Sequence, residues 1–277
     1  MKKVILITGA SSGIGKETAK YFAANGWNVI ATMRSPEKEI ELNKLNNVLV
    51  TKLDVRDKDT IHTAIKTGIA HFGHIDALVN NAGYGQMGIF EAMTNEQIAK
   101  QFEVNVFGVM DTIKAILPHF RERKAGTILN ISSGAGKFTL PMLSMYASSK
   151  FALEGFSEAL SFELSALNIK VKIIEPGGTH TNFNHTSAQE FAHDTNLTDY
   201  DPFLAAAGKM FEVMKTGSVS STDVAEVIYR AATDGTDTLR YAIGGEDFQQ
   251  RLKARAQMPD QEYIDFIKNG FVKHLPQ

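Results

Sequence analysis

Val4-Ile5-Leu6-Ile7-Thr8-Gly9-Ala10-Ser11-Ser12-Gly13-Ile14-Gly15 is the stretch from which the fold can be read. Four apolar residues stop at a glycine-rich turn. A helical pattern follows in Thr18, Ala19, Phe22 and Ala23, and it ends at Asn25-Gly26, where a helix stop is expected. Trp27 to Met33 is then a second apolar run. Strand, glycine turn, helix and strand together make the βαβ unit of a dinucleotide site. The glycines let the backbone turn sharply and approach a pyrophosphate, and the helix N-terminus offers unpaired N–H groups and positive potential. The spacing is Thr-Gly-x-x-x-Gly-x-Gly rather than Gly-x-Gly-x-x-Gly. A glycine-rich turn by itself is often only a turn. Its place between a strand and a helix is what points to a nucleotide.

The end of the second strand selects the cofactor. An acid there would bond the ribose 2′-hydroxyl of NAD, whereas an Arg accommodates the 2′-phosphate of NADP. This strand ends Ala31-Thr32-Met33-Arg34-Ser35, with no acid. The expectation is NADP over NAD, with Arg34 on the phosphate in a charge-assisted contact. The plainer alternative is a solvated Arg at the start of a loop.

The same alternation continues. Val48 to Val55 reads as a third strand, with Asp54 placed to accept from an adenine amino group or else to cap the next helix. Asp57 or Asp59 suits that capping role better. Ala77 to Val79 is a fourth strand, ending Asn80-Asn81-Ala82-Gly83; paired Asn can bridge backbone and ribose, or serve only as turn chemistry. Asn95 to Leu117 is predicted as one helix ended by Pro118. Within it Asn105 needs a partner, at the least a neighbouring backbone carbonyl. Thr127 to Ser132 is a fifth strand, Val171 to Ile174 a sixth, and Leu239 to Ile243 a seventh. Strands alternating with helices predict an α/β, doubly wound Rossmann fold: a seven-stranded parallel sheet with helices on both faces and ligands at the carboxyl ends of the strands.

The fifth strand delivers Ser133, and the chain then runs to Met145-Tyr146-Ala147-Ser148-Ser149-Lys150. Tyr146 and Lys150 are four apart, so a helix puts them on one face. A held ammonium beside a phenol should lower its pKa from about 10 and make its proton easier to move. Ser133 could hold a carbonyl oxygen nearby. Taken alone, such a pair is more often a surface aromatic beside a solvated Lys; the rest of the chain is what raises it.

The chain has 277 residues, 43% apolar, with a net charge of -2, so nothing suggests a nucleic-acid surface. The absence of Cys removes disulfides and thiol catalysis. The eight His are scattered, His180, His185 and His193 lack helical ligand spacing, and no metal is expected. No stretch reaches the ~20 apolar residues of a membrane span, so a cytoplasmic protein without membrane attachment is the default. Residues 183–217, rich in Phe, Ala and Met (Phe183, Phe191, Phe203, Met210, Phe211, Met214), read as a helical flap that either lines a substrate pocket or packs itself down. The tail 246–277 carries Phe248, Leu252, Tyr263, Ile264, Phe266, Ile267 and Phe271, which the body, the flap or a second subunit must cover. With no repeat and no low-complexity linker, one domain is expected: a cofactor half 1–130, a catalytic and substrate half 131–245, and the C-terminal extension.

In combination, Thr8-Gly9-x-x-x-Gly13-x-Gly15, Asp54, Asn80-Asn81-Ala82-Gly83, Asn105, Ser133, Tyr146-x-x-x-Lys150 and Pro176-Gly177 with Thr181 resemble the short-chain dehydrogenase/reductase family over residues 4 to about 245. The resemblance implies Tyr146 as general acid/base, Ser133 on the substrate oxygen, and Lys150 on the nicotinamide ribose. It also implies Asn105 as the holder of a relay water. Cofactor contacts are implied for Gly9, Ser11, Ser12, Gly13, Ile14 and Gly15, for Asp54 and Val55, and for Asn81, Ala82 and Gly83. Pro176, Gly177, Thr179 and Thr181 complete that set with Tyr146 and Lys150. Thr179 stands where the family often has an aliphatic residue. The implied activity is hydride transfer between the nicotinamide cofactor, read above as NADP(H), and an alcohol/ketone pair; the Met- and Phe-rich flap points to a small-molecule carbonyl or alcohol substrate that is apolar or bulky. The alternatives are a catalytically silent NADP(H) sensor and a nucleotide-sugar epimerase or dehydratase, a branch that usually carries a larger substrate domain, for which this chain lacks room. The family's usual assembly, a homo-oligomer (dimer or tetramer), is expected, although the long tail departs from the pattern.

Overall fold

The computed structural model describes residues 1–181, 183–215 and 217–272, without the side chains of 184–186, 213–215 and 271. The expectations placed on His185, Met214 and Phe271 therefore lie outside the described residues.

β1 (Val4–Ile7), α1 (Gly13–Ala24) and β2 (Asn28–Met33) form the expected opening unit. β3 (Val48–Lys52), α2 (Lys58–Phe72) and β4 (Ala77–Asn80) follow. α3 (Asn95–Phe102), α4 (Gly108–Arg123), β5 (Gly126–Ile131), α5 (Ser144–Ser165) and β6 (Ile169–Pro176) complete the centre. The strands, with β9 (Arg240–Ile243), join in a seven-stranded sheet of order β3-β2-β1-β4-β5-β6-β9. Every pairing in it is parallel. The order reverses between β1 and β4, the crevice where ligands bind in such sheets.

Helices cover both faces, which is why the central strands read as unbroken apolar runs: all four residues of β1 and of β4 are buried. On one face Leu6, Ile30, Leu78 and Ile128 pack with Ile61, Ile113, Phe120 and Leu160. On the other, Ile5, Val29, Val79 and Leu129 pack with Ala19 and Phe22 of α1 and with Val224 and Ile228 of α8 (Ser221–Thr233).

The long helix differs from the expectation. Between α3 and α4 lies a π-helical turn, Glu103–Phe107, that carries Asn105. Pro118 does not end α4, which runs on to Arg123. Pro118 removes one N–H from the ladder, but the carbonyl it frees, on Lys114, is on an exposed residue and can bond water, while the buried Ile116 and Phe120 hold the helix down. A second feature was not foreseen. β7 (Thr179–His180) pairs in parallel with β8 (Val219–Ser220), so the flap enters and leaves through one small sheet. Two-residue strands have no periodicity to read. Between them run α6 (Phe183–Gln189) and α7 (Asp201–Lys215). The tail forms α9 (Glu246–Gln257) and α10 (Asp260–Val272). Among the described residues no helix is long and apolar enough to cross a membrane.

Candidate active site

The glycine turn sits at the carboxyl end of β1. Gly9 has φ +69° and Gly13 φ +53°, left-handed values that suit glycine. A Cβ on Gly9 would stand 2.8 Å from the Ala82 Cα, so the turn lies directly against the end of β4. Thr8 Oγ1 accepts from the amides of Asn81 and Ala82, each at 3.0 Å. Asn81 Nδ2 donates back to the carbonyls of Thr8 (2.9 Å) and Gly9 (3.0 Å). The side chain of Asn81 thus clamps the turn rather than projecting toward a ligand. α1 begins at this turn with no side-chain cap and no acid in its first turn, whereas Asp57 caps α2 and Thr94 caps α3. Bare N–H groups at a helix start with small residues before them fit a dinucleotide pyrophosphate. Ser11 and Ser12 are exposed beside them and Ile14 is half-buried.

Arg34 follows β2 and is exposed; among the described residues it has no hydrogen bond or ion pair. Asp54, after β3, accepts from the Arg56 amide at 3.0 Å, and its own amide is bonded to Thr60 Oγ1. The helix cap is Asp57, which leaves Asp54 available to a ligand. Asp54 and the buried Val55 open onto a cavity of about 500 Å³, walled also by Glu103, Phe107 and Asp111. From the other side the segment after β6 reaches back over the turn, where a Cβ on Gly13 would meet Thr181 at 3.2 Å. Thr179 donates to the Gly177 carbonyl at 3.1 Å. Gly83 is exposed, while Pro176, which ends β6, is buried. The predicted cofactor residues on these segments therefore lie at the carboxyl end of the parallel sheet, after β1, β2, β3, β4 and β6.

Ser133 follows β5 and caps the short turn Gly134–Gly136, accepting from the Ala135 amide at 3.1 Å. Tyr146 and Lys150 stand on the buried face of α5, 8% and 7% exposed. The ammonium is 5.8 Å from the Tyr146 ring centre and donates to the Ile131 carbonyl at 2.8 Å. Ser133, Tyr146 and Lys150 thus converge at the end of β5. Their electrostatics correct one expectation. Burial pushes the Tyr146 phenol up to about 12, against a hydrogen bond from Ser133 that pulls it down. Burial also lowers Lys150 to about 8, with Glu154 opposing. Desolvation outweighs proximity, so these residues alone do not acidify Tyr146.

Asn105 is 1% exposed. Its amide donates to the Tyr84 carbonyl (2.9 Å) and to Ser149 Oγ (3.3 Å), and its oxygen accepts from the Tyr84 amide. Both amide hydrogens are thus taken by protein, one of them by a backbone carbonyl, the simpler of the readings open from sequence. Ser149 passes this network on by donating to the Tyr146 carbonyl at 2.7 Å, and Gln101 bonds Ser149 and the Tyr84 carbonyl as well. Ser149 and Gln101 carried no signal beyond their helical spacing from Tyr146 and Asn105.

Flap and tail both reach this end of the sheet. The Phe183 ring lies 5.6 Å from that of Tyr146, so that part of the flap lines the site. Phe248 of α9 fills a notch of three glycines: a Cβ on Gly134 or Gly244 would overlap its ring, and one on Gly177 would stand 2.9 Å away. With Phe138 and Tyr263 it forms a separate buried cluster. The body covers the tail through Phe248 and the flap covers it through α7, whereas Ile264 and Phe266 stay 41% and 43% exposed. Phe248→Ala is expected to cost about 3 kcal/mol, the usual loss for a buried Phe, read as a lower urea midpoint. Phe266→Ala should leave that midpoint in place.

A family model described as short chain dehydrogenase matches residues 3–191. An uncharacterized oxidoreductase of Schizosaccharomyces pombe is 43% identical over 216 residues, 76% of this chain and 88% of that one. A solved short-chain dehydrogenase from Streptomyces avermitilis superposes with TM-score 0.80 at 31% identity, covering 98% of this chain and 99% of that chain. ElxO, solved with NADP bound, gives TM-score 0.73 at 29% identity over 88% of this chain and 97% of that chain. Other chains of the fold have been solved with NAD and with NADH. The parallel sheet, the uncapped glycine turn, the Ser133, Tyr146 and Lys150 cluster and these matches lead to one assignment: the chain belongs to the short chain dehydrogenase family of oxidoreductases.

Proposed function

We propose that this protein is an NADP-dependent oxidoreductase that interconverts an alcohol and a ketone, with Tyr146 as the general acid/base. The observation that carries this is the convergence of Ser133, Tyr146 and Lys150 at the end of β5, on the same carboxyl side of the parallel sheet as the glycine turn. The bare amides at the start of α1 hold the pyrophosphate, Arg34 the 2′-phosphate, and Asp54 and Val55 the adenine end. Lys150 fixes the nicotinamide ribose. Bound there, NADP(H) supplies the hydride chemistry at its nicotinamide ring. Ser133 Oγ holds the substrate oxygen, and Tyr146 Oη gives that oxygen its proton or takes it back. Both amide hydrogens of Asn105 are held by Tyr84 and Ser149, so its part in a proton relay is to accept from a water rather than to donate to one. Phe183 against Tyr146 favours an apolar substrate. The exposed Phe151 and Phe162 of α5 favour a homo-oligomer, and the proposed setting is the cytoplasm.

The test is a panel of ketones, aldehydes and alcohols offered with NADP(H) and with NAD(H), followed by the absorbance of the reduced nicotinamide. Turnover with NADP(H) on apolar carbonyls supports the proposal; tight NADP(H) binding with no turnover on any of them would favour the silent sensor instead. Arg34 gives the cofactor its own arm. A hydrogen bond to a charged group contributes about 1.5–3 kcal/mol, so Arg34→Ala should weaken NADP by roughly tenfold to a hundredfold and leave NAD almost unchanged. An equal loss for both cofactors would reject the 2′-phosphate role.

A further inference from the structure

Glu154 stands one turn beyond Lys150 on α5, and Glu175 stands across from it on β6. Their side chains are 6% and 4% exposed. The two carboxyl groups lie within hydrogen-bonding reach of each other; among the described residues Glu154 Oε1 has no hydrogen-bond donor, and Glu175 Oε1 has only the ion-pair contact of Arg240. Two buried carboxylates placed this way repel each other when both are ionised, and one proton held between them removes that repulsion.

The surroundings link this pair to the catalytic side chains. Arg240 of β9 puts Nε 3.0 Å from Glu154 Oε2 and 3.3 Å from Glu175 Oε1, and its other arm holds the exposed Glu158 of α5. Lys137, in the loop after β5, faces Glu175 and Glu158. On the inner side is Lys150, for which Glu154 is the acid that favours the charged form. The Ser133 loop closes over the pair, since a Cβ on Gly136 would stand 2.9 Å from Glu154 Cγ.

We infer that Glu154 and Glu175 are a proton-sharing pair of positioning residues that keeps Lys150 charged and in place, and so acts through it on Tyr146. The link to catalysis rests on the reaction proposed above. Glu175 is pushed up to about 7, by burial first and by Glu154 next, which agrees with a proton held at neutral pH. Below that value the pair carries one negative charge. Above it the pair carries two, and the second charge holds the Lys150 proton more firmly.

Infrared spectroscopy of the cofactor-free protein should show a protonated-carboxyl band on the acid side of neutrality that fades as the pH rises through about 7. The band should vanish in Glu175→Gln; in Glu154→Gln, where burial still acts on Glu175 but the neighbouring charge is gone, its fading should move to lower pH. In Glu154→Gln the alkaline limb of kcat/KM, where Lys150 loses its charge, should move down by about one pH unit. Glu154→Asp should move it part of the way back. Glu158→Gln, which releases the same Arg240 without touching Glu175, should leave it where it was. A band that persists in Glu175→Gln, a pH dependence of the band that is unmoved in Glu154→Gln, or a limb that moves equally in Glu154→Gln and Glu158→Gln, would overturn the pair. Should Glu154→Gln not fold, Glu175→Gln keeps a hydrogen bond to Glu154 through its amide and carries the infrared arm alone. Full turnover in Tyr146→Phe would overturn the link to catalysis while leaving the band, so the two failures look different.

Discussion

Tyr146→Phe should lower the turnover of carbonyl substrates by about 10²- to 10⁴-fold, the range supplied by a positioned general acid, and weaken cofactor binding far less than that. The substitution deletes one oxygen and keeps the ring that packs on Phe183, so folding should be intact. The direction of the pKa shift sharpens the expectation. Burial holds the phenol near about 12, so at neutral pH Tyr146 carries its proton. That is the correct form to protonate the oxygen of a carbonyl being reduced, and a scarce form for oxidising an alcohol. Reduction should therefore be nearly flat with pH around neutrality. Oxidation should climb by about tenfold per pH unit, as the phenolate fraction does below its pKa. Both should change slope near about 8, where Lys150 gives up its charge. Steady-state profiles in both directions test this, and the Phe variant should lose the climb. Turnover in Tyr146→Phe equal to the parent chain on any active substrate would end the assignment of the acid.

The residues that could be read in advance are those whose role is local. A four-residue apolar run before a glycine turn has few alternatives to a buried parallel strand, and β1, β4 and β5 fall where their patterns place them. Tyr146 and Lys150 were visible because an i, i+4 pair on a helix is set by geometry alone. What failed was anything decided by burial or by distant chain. Pro118 reads as a helix stop until Ile116 and Phe120 are seen holding both sides of it to the core. The acidity of Tyr146 could not be judged from the charge beside it, because the same burial that isolates the phenol also lowers Lys150. Glu175 reads as a polar residue ending a strand. Its meaning depends on Glu154, in another element, and Arg240, in a third. The tail read only as apolar surface in need of cover; that Phe248 fits a notch built from Gly134, Gly177 and Gly244 is a fact of three separate loops.

Gly15→Ala and Gly155→Ala are the same change in two helices, and they are expected to have opposite signs. Helix propensity alone favours Ala over Gly by about 1 kcal/mol at either position. Gly155 lies on the exposed side of α5, and among the described residues nothing stands within 4 Å of an added Cβ, so within one protomer its variant should gain roughly that amount. Gly15, in the first turn of α1, has no such freedom. A Cβ there would overlap the Gly9 carbonyl oxygen and the Asn81 amide nitrogen. Neither can retreat easily, because Asn81 Nδ2 is bonded both to that carbonyl and to the carbonyl of Thr8. The methyl group must break those bonds or push the turn away from β4. Overpacking of this kind costs about 1–3 kcal/mol, more than the propensity gain. The displaced turn would also carry its amides away from the pyrophosphate they are proposed to bind, so NADP affinity should fall by at least about tenfold, equivalent to about 1.4 kcal/mol. Urea unfolding gives the sign of each stability change, and calorimetric titration with NADP gives the binding arm. If Gly15→Ala were as stable as the parent chain and bound NADP as tightly, the close approach of turn to strand would not be what shapes this site, and the placing of the cofactor over the glycine turn would fall with it.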